Sequence, residues 1–181
     1  MLDFIQKHNT GIKVKPRSKG SIAGLAGAFR RKVCKTGAAD CVDILKALEL
    51  DLPRLTEKEF EFFPLGRNIM GDTEAAMAPD SMKMFIRQDV YDALHEGDFR
   101  ARFTIAHEFG HFMLHEGVAL ARSNAKGHKI YEDSEWQANC FAAELLAPVS
   151  QCKGLTEDEI MQKFQVSRQC ASFRLKEASK N

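Results

Sequence analysis

The segment that most constrains this chain runs from Asp98 to His115, unbroken by proline and dense in apolar residues. Phe99, Phe103, Ile105, Phe109, Phe112 and Met113 supply enough apolar surface to bury most of one helix. Asp98 stands as its N-cap and Gly117 in the position that stops it. Inside it lies His107-Glu108-Phe109-Gly110-His111. Helical residues four apart project from one face, about 6 Å apart along the axis. Two imidazoles so placed reach one zinc ion at about 2.0–2.1 Å. Glu108 sits one residue round, close to a water beside the ion without ligating it, where a general base for peptide hydrolysis belongs. Gly110 is expected to leave space between the two ligands.

A hydrolytic zinc site needs a third protein ligand and one open position. Downstream of His111 the acidic candidates are Glu116, Glu132, Asp133, Glu135 and Glu144. Glu116 adjoins the helix end and is expected to face solvent, while Glu132 and Asp133 precede the next helix in loose geometry. Glu135 and Glu144 lie on that next helix half a turn apart in net angle, so only one can face the metal. Glu135 shares its face with Asn139, Ala142 and Leu146. Small Ala142 would admit close packing on the His-bearing helix, and Asn139 would orient a ligand. Glu135 is therefore the expected third ligand and Glu144 the lesser alternative. His115 stands about 12 Å of helix rise from His107, too far to share an ion, and is expected to be a terminal histidine stabilised by the helix dipole. His128 and Tyr131, in the polar loop running from Ser123 to Asp133, are candidates to steady a developing oxyanion. Cys140 reads as a small core residue rather than a ligand.

The remainder of the chain sets limits on this chemistry. Its 181 residues, 44% hydrophobic and 28% charged, suit one domain with a short appendage and exclude a wholly disordered, collagenous or coiled-coil chain. The apolar run Ile22 to Phe29 is far short of a bilayer span, and Arg30-Arg31-Lys32 stands where a signal-peptide cleavage site would need small residues. Five cysteines without a paired framework suit reduced thiols, hence a cytoplasmic setting and no membrane. Residues 1–35 carry a net charge of +8 against −7 over residues 36–100. The basic stretch lacks a nucleic-acid motif, so residues 1–20 read as a poorly anchored leader that neutralises the acidic body behind it.

Coarse element signals follow. Helices are expected from Ser21, as its cap, to about Lys35, and from a cap at Asp40 through Leu48. Leu52 to Leu65 holds Pro53 and Pro64 and resists assignment. Met82 to Arg87 reads as a strand, with Lys83 to Arg87 expected at the sheet edge beside the cleft. A capping box Ser134-x-x-Gln137 opens a helix that Pro148 stops. Thr156-x-x-Glu159 opens another to Phe164, and Arg168 to Glu177 forms the last. The organisation expected is a leader over 1–20, a main domain over 21–154, and a helical, helix-turn-helix-like segment over 155–181. That last segment nets only +1 and is expected to pack on the main domain rather than read DNA.

Two blocks carry a resemblance. Asp98-Phe-Arg-Ala-Arg-Phe-Thr-Ile-Ala-His-Glu-Phe-Gly-His-Phe-Met-Leu-His115, followed by Glu135-Trp-Gln-Ala-Asn-Cys-Phe-Ala-Ala-Glu-Leu-Leu-Ala-Pro148, resembles the ImmA/IrrE family of metallopeptidases. The resemblance covers about residues 75–177 and departs mildly at Ala147 and Gln137, where the family often has Met and Glu. It implies an α+β, zincin-like fold: a small sheet on the H-E-x-x-H helix, with several further helices. It places Zn2+ on His107, His111 and Glu135, with Glu108 as catalytic base. It further implies cleavage of a protein substrate, a helix-turn-helix repressor controlling phage, mobile-element or stress-response genes. The alternative is a non-hydrolytic regulator that binds a repressor or DNA through the same fold as a docking or metal-sensing surface. Glu108 favours the enzyme, because sequestration alone would not need a base.

Overall fold

The computed structural model describes residues 11–78, 82–115 and 128–180. Residues 1–10 of the leader, Glu116, Gly117 and the loop from Ser123 through Gly127 lie outside the described residues. In chain order the elements are α1 (Lys19–Lys32), α2 (Ile44–Lys46), α3 (Leu52–Leu55), β1 (Glu61–Leu65), α4 (Arg67–Met70), β2 (Ala75–Met77), β3 (Lys83–Arg87), α5 (Gln88–His95), α6 (Phe99–Leu114), α7 (Ser134–Leu146), α8 (Glu157–Phe164) and α9 (Arg168–Ala178). The architecture is mixed α+β, with one three-stranded sheet among the described residues.

Local chemistry explains the ends of these elements. The Ser18 hydroxyl accepts from the Ser21 N–H, so α1 starts two residues before the expected cap at Ser21. Asp43 caps α2 in place of the expected Asp40. A π-helical stretch, Ala47–Asp51, joins α2 to α3 immediately before Pro53. A proline ring cannot donate to the preceding turn, and the wider π turn absorbs that break. Asp98 caps α6 through the Ala101 N–H. For α7 the cap is Asp133, which accepts from the Trp136 N–H; Ser134 is already the first helical residue, so the expected capping box with Gln137 does not form. Thr156 and Glu159 do form theirs at α8.

The strand order is β1-β3-β2, with β1 parallel and β2 antiparallel to β3. This corrects the expectation for Lys83 to Arg87. That strand is central, hydrogen-bonded on both sides, and β2 is the edge that runs beside α6. Met84 and Ile86 alternate inward and pair with Met77 and Ala75, so one sheet face joins the core. The core continues between helices, where Phe29 of α1 lies 5.3 Å from Phe109 of α6 and 5.9 Å edge-on from Phe141 of α7. Each such fully buried side chain contributes about 1.5–3 kcal/mol.

Two further features position the site. Gly110 lies against Ala138 so closely that an added Cβ would stand 2.9 Å from the Ala138 Cα. The missing side chain therefore lets α7 approach α6, rather than leaving room between the histidines. Residues 11–18 are not a loose leader. Val14 N–H donates to Glu132 O, Arg17 N–H to Tyr131 O and Ser134 N–H to Ile12 O, tying the segment down as a strap across the start of α7. At the other end Ile160, Phe164, Val166 and Ala171 belong to the common core, and buried Arg174 of α9 donates to Ala147 O at 2.8 Å.

Candidate metal centre

The apolar stripe of α6 faces the core and turns His107 and His111 toward α7, their ring centroids 4.7 Å apart. The two Nε2 atoms stand 3.0 Å from each other. Glu135, in the first turn of α7, brings Oε2 to 3.1 Å from His107 Nε2 and Oε1 to 3.3 Å from His111 Nε2. Half a turn away, Glu144 points elsewhere, pairing with Arg174 and receiving the Val149 N–H.

Two imidazole nitrogens and two carboxylate oxygens converge at these spacings, a donor set that a cation or a proton between them holds together. A tetrahedral zinc centre with bonds of about 2.0–2.1 Å separates neighbouring ligand atoms by about 3.3 Å. The spacings of 3.0, 3.1 and 3.3 Å fit that figure closely. Without an ion, a proton is the available substitute. Burial lowers the His107 pKa, but the Glu135 hydrogen bond and the Glu108 and Glu135 charges outweigh it and raise the value above the ordinary histidine range. Burial raises the Glu135 pKa, and the two histidine hydrogen bonds reverse this, holding its carboxyl well below the usual carboxylate range.

Glu108 is 4% exposed and offers a ligand atom within 4.8 Å of those of His107 and His111. Its Oε2, however, accepts the Met77 N–H at 2.8 Å. In the β2–β3 ladder Ala78 donates to Lys83 and Glu74 receives from Arg87, so the intervening Ala75 and Met77 groups point away from β3. The edge strand thereby fixes the Glu108 carboxylate at the mouth of the site. A cleft of about 410 Å³ opens there, its walls including Thr73, Glu74, Ala75, Arg100, Phe103 and Thr104. Glu74 accepts from Arg100 at 2.6 Å and from Thr104 at 3.1 Å, bracing that wall to α6.

Behind the ligands, Asn139 Oδ1 lies 3.0 Å from His107 Nδ1. His115 is not the dipole-stabilised cation expected from sequence. Its ring turns inward, Nδ1 to His111 Nδ1 at 3.1 Å and Nε2 to Gln137 Oε1 at 3.3 Å. Burial, with the neighbouring His111 imidazole adding to it, pushes its pKa down to about 4. The structure does not bring the Tyr131 and His128 side chains to the cleft. Tyr131 lies on a 3₁₀ turn, Ile130–Glu132, with its ring 5.7 Å from Lys129 Nζ, and His128 bonds Asp133 at 2.8 Å. Cys140 packs against the core.

Sequence reasoning missed the contributions of Met77 and Gln137. β2 is only three residues long, too short for a periodic signal, and Gln137 read as a capping residue. The i+4 spacing of His115 from His111 was the one available clue to the group behind His111.

No curated protein and no solved structure matches the chain. No described helix is long and apolar enough to cross a membrane. A family model does match, that of the IrrE N-terminal-like domain of the M78 peptidases, over residues 93–176, the stretch carrying α6, the histidines, Glu135 and the helices beyond. That match, over a little under half of the chain, supports membership of the ImmA/IrrE family and a metallopeptidase-like function for the matched stretch.

Proposed function

We propose that this protein is a zinc-dependent endopeptidase that cuts a regulatory protein in the cytoplasm, with His107, His111 and Glu135 as the metal ligands and Glu108 as the catalytic base. The observation that carries the reading is the division of labour between two carboxylates. Glu135 contacts both Nε2 atoms, whereas Glu108 stands aside with one oxygen occupied by a backbone donor.

When bound, zinc supplies Lewis acidity to a carbonyl or a water oxygen. The protein's own residues do the rest. The Met77 N–H holds Glu108 Oε2, leaving Oε1 to take the proton of the attacking water and return it to the departing amine. Ala75, on the open edge of β2, offers its backbone groups to an extended substrate by strand addition. The substrate must therefore present an unfolded stretch, as a loop or terminus does when it opens. The family resemblance supports a helix-turn-helix repressor as the substrate, and the basic N-terminal stretch would steer the enzyme toward an acidic partner surface. Helices α8 and α9, packed into the core, act as support rather than as a DNA reader.

The test compares wild type with Glu108→Gln, measuring bound metal and cleavage of the repressor encoded beside the gene. Both forms should bind one zinc per chain, and the variant should lose about 10²–10⁴-fold in rate. Cleavage by the variant at the wild-type rate would exclude Glu108 as base. A wild type that digests unstructured casein and ignores the repressor would replace the regulatory role with a housekeeping one.

A further inference from the structure

His115 and Gln137 touch neither the cleft nor the proposed ion, yet a continuous run of hydrogen bonds passes through them to a ligand. Gln137 is fully buried, and its Nε2 donates to Lys15 O at 2.9 Å and to Tyr131 O at 2.8 Å. Carbonyl oxygens only accept, so both amide hydrogens are committed and the orientation of the amide is fixed. Its Oε1 then faces His115 Nε2 at 3.3 Å, and that nitrogen must carry a hydrogen. With that hydrogen on Nε2, the His115 imidazole presents its lone pair at Nδ1. That lone pair faces His111 Nδ1 at 3.1 Å, which must donate to it. The only lone pair left on His111 is on Nε2, the atom 3.0 Å from His107 Nε2 and 3.3 Å from Glu135 Oε1.

The geometry points to His115 and Gln137 as positioning residues that lock His111 in its Nδ1–H tautomer and aim its Nε2 lone pair at the metal, with the strap carbonyl of Lys15 as outer anchor. This inference rests on the metal-centre reading proposed above. It adds that the affinity of the centre is set partly by a neutral relay reaching a residue far away in sequence. Metal-ligating imidazoles need the far nitrogen to donate to an acceptor, and losing such a partner weakens metal binding about 10–100-fold.

Two measurements test it. Two-bond ¹H–¹⁵N correlation spectra of the metal-free wild type at pH 8 report which nitrogen of each histidine carries the hydrogen. His111 should be protonated at Nδ1 and His115 at Nε2. Zinc affinity is then measured by competition with a chromophoric chelator. His115→Phe fills the space without an acceptor and should bind zinc about 10–100-fold more weakly. His115→Gln restores an acceptor and should recover most of that loss, which a merely space-filling role would not produce. His111 protonated at Nε2 in the wild type, or a His115→Phe affinity equal to wild type, overturns the relay. If the Phe variant does not fold, the wild-type tautomers decide alone. A wild type with the expected tautomers that binds no zinc overturns the metal centre and with it the purpose of the relay. Zinc bound equally by wild type and the Phe variant overturns the relay only.

Discussion

At the scale of single residues, chemistry in this molecule is decided by what stands behind each side chain. Glu135 and Glu144 are the same residue on the same helix, yet one meets two imidazoles and the other a buried guanidinium. Alanine in place of Glu135 should abolish tight zinc binding with little loss of folding. Alanine in place of Glu144 should keep zinc and lower stability by about 1.5–3 kcal/mol, because it removes one of the two carboxylates paired with Arg174, which is 2% exposed and keeps Glu177 and the Ala147 carbonyl. Equilibrium dialysis and urea titration separate the two outcomes, and the reverse pattern would exchange the roles. His115 supports a prediction about pH. Its folded-state pKa of about 4 lies below the ordinary 6.5, so between those values the unfolded chain binds a proton that the folded one refuses. Stability of the metal-free protein therefore falls as pH drops through that window, by up to about 1.4 kcal/mol per pH unit. His107, whose pKa is raised, contributes in the opposite sense, gaining stability toward acid, and it is present in both forms compared. The difference between wild type and His115→Phe in denaturant titrations at pH 7 and pH 5 should isolate the acid-sensitive part. Equal slopes would show that His115 takes up its proton in the folded state.

At the scale of elements, helices were legible in the sequence where a cap and an apolar stripe agreed. Asp98 with Phe99 through Leu114 is the clearest case, and the capping box at Thr156 is another. Strand pairing was not legible. β1 contains Pro64, which no central strand of an antiparallel sheet tolerates, and β2 is three residues whose identity as a strand comes from β3 alone. The edge assigned to Lys83–Arg87 failed because order within a sheet is a tertiary property, set by which partners arrive on each side. The two histidines and Glu135 could be placed by helical angle. Met77 could not, since its contribution is a backbone N–H that every non-proline residue owns. The packing of α6 on α7 yields a further test. Gly110→Ala gains about 1 kcal/mol in helix propensity but drives a methyl into the Ala138 backbone at 2.9 Å. Overpacking costs about 1–3 kcal/mol, so the net should be a lower melting temperature. Zinc affinity should fall with it, since Glu135 and Asn139 ride on the displaced helix. An unchanged melting temperature and affinity would mean the helices are less closely engaged than described.

At the scale of the whole molecule, the strap over residues 11–18 joins the chain's beginning to the start of α7. Deleting residues 1–17 should leave Gln137 without the Lys15 carbonyl and uncover Val14's packing site, lowering both the melting temperature and zinc affinity while α6 stays helical by circular dichroism. Full metal affinity in the truncated chain would reduce the strap to a tether. The same feature has a consequence for the order in which the protein comes into being. On the ribosome the strap is made first, and its partner Gln137 follows 122 residues later. His107, Glu108 and His111 emerge in between, before Glu135 exists to join them. A nascent or prematurely ended chain thus carries the sequence motif without the centre. On the proposed ligand set, metal capture would wait for α7, and an occupied site would record that synthesis had passed Glu135.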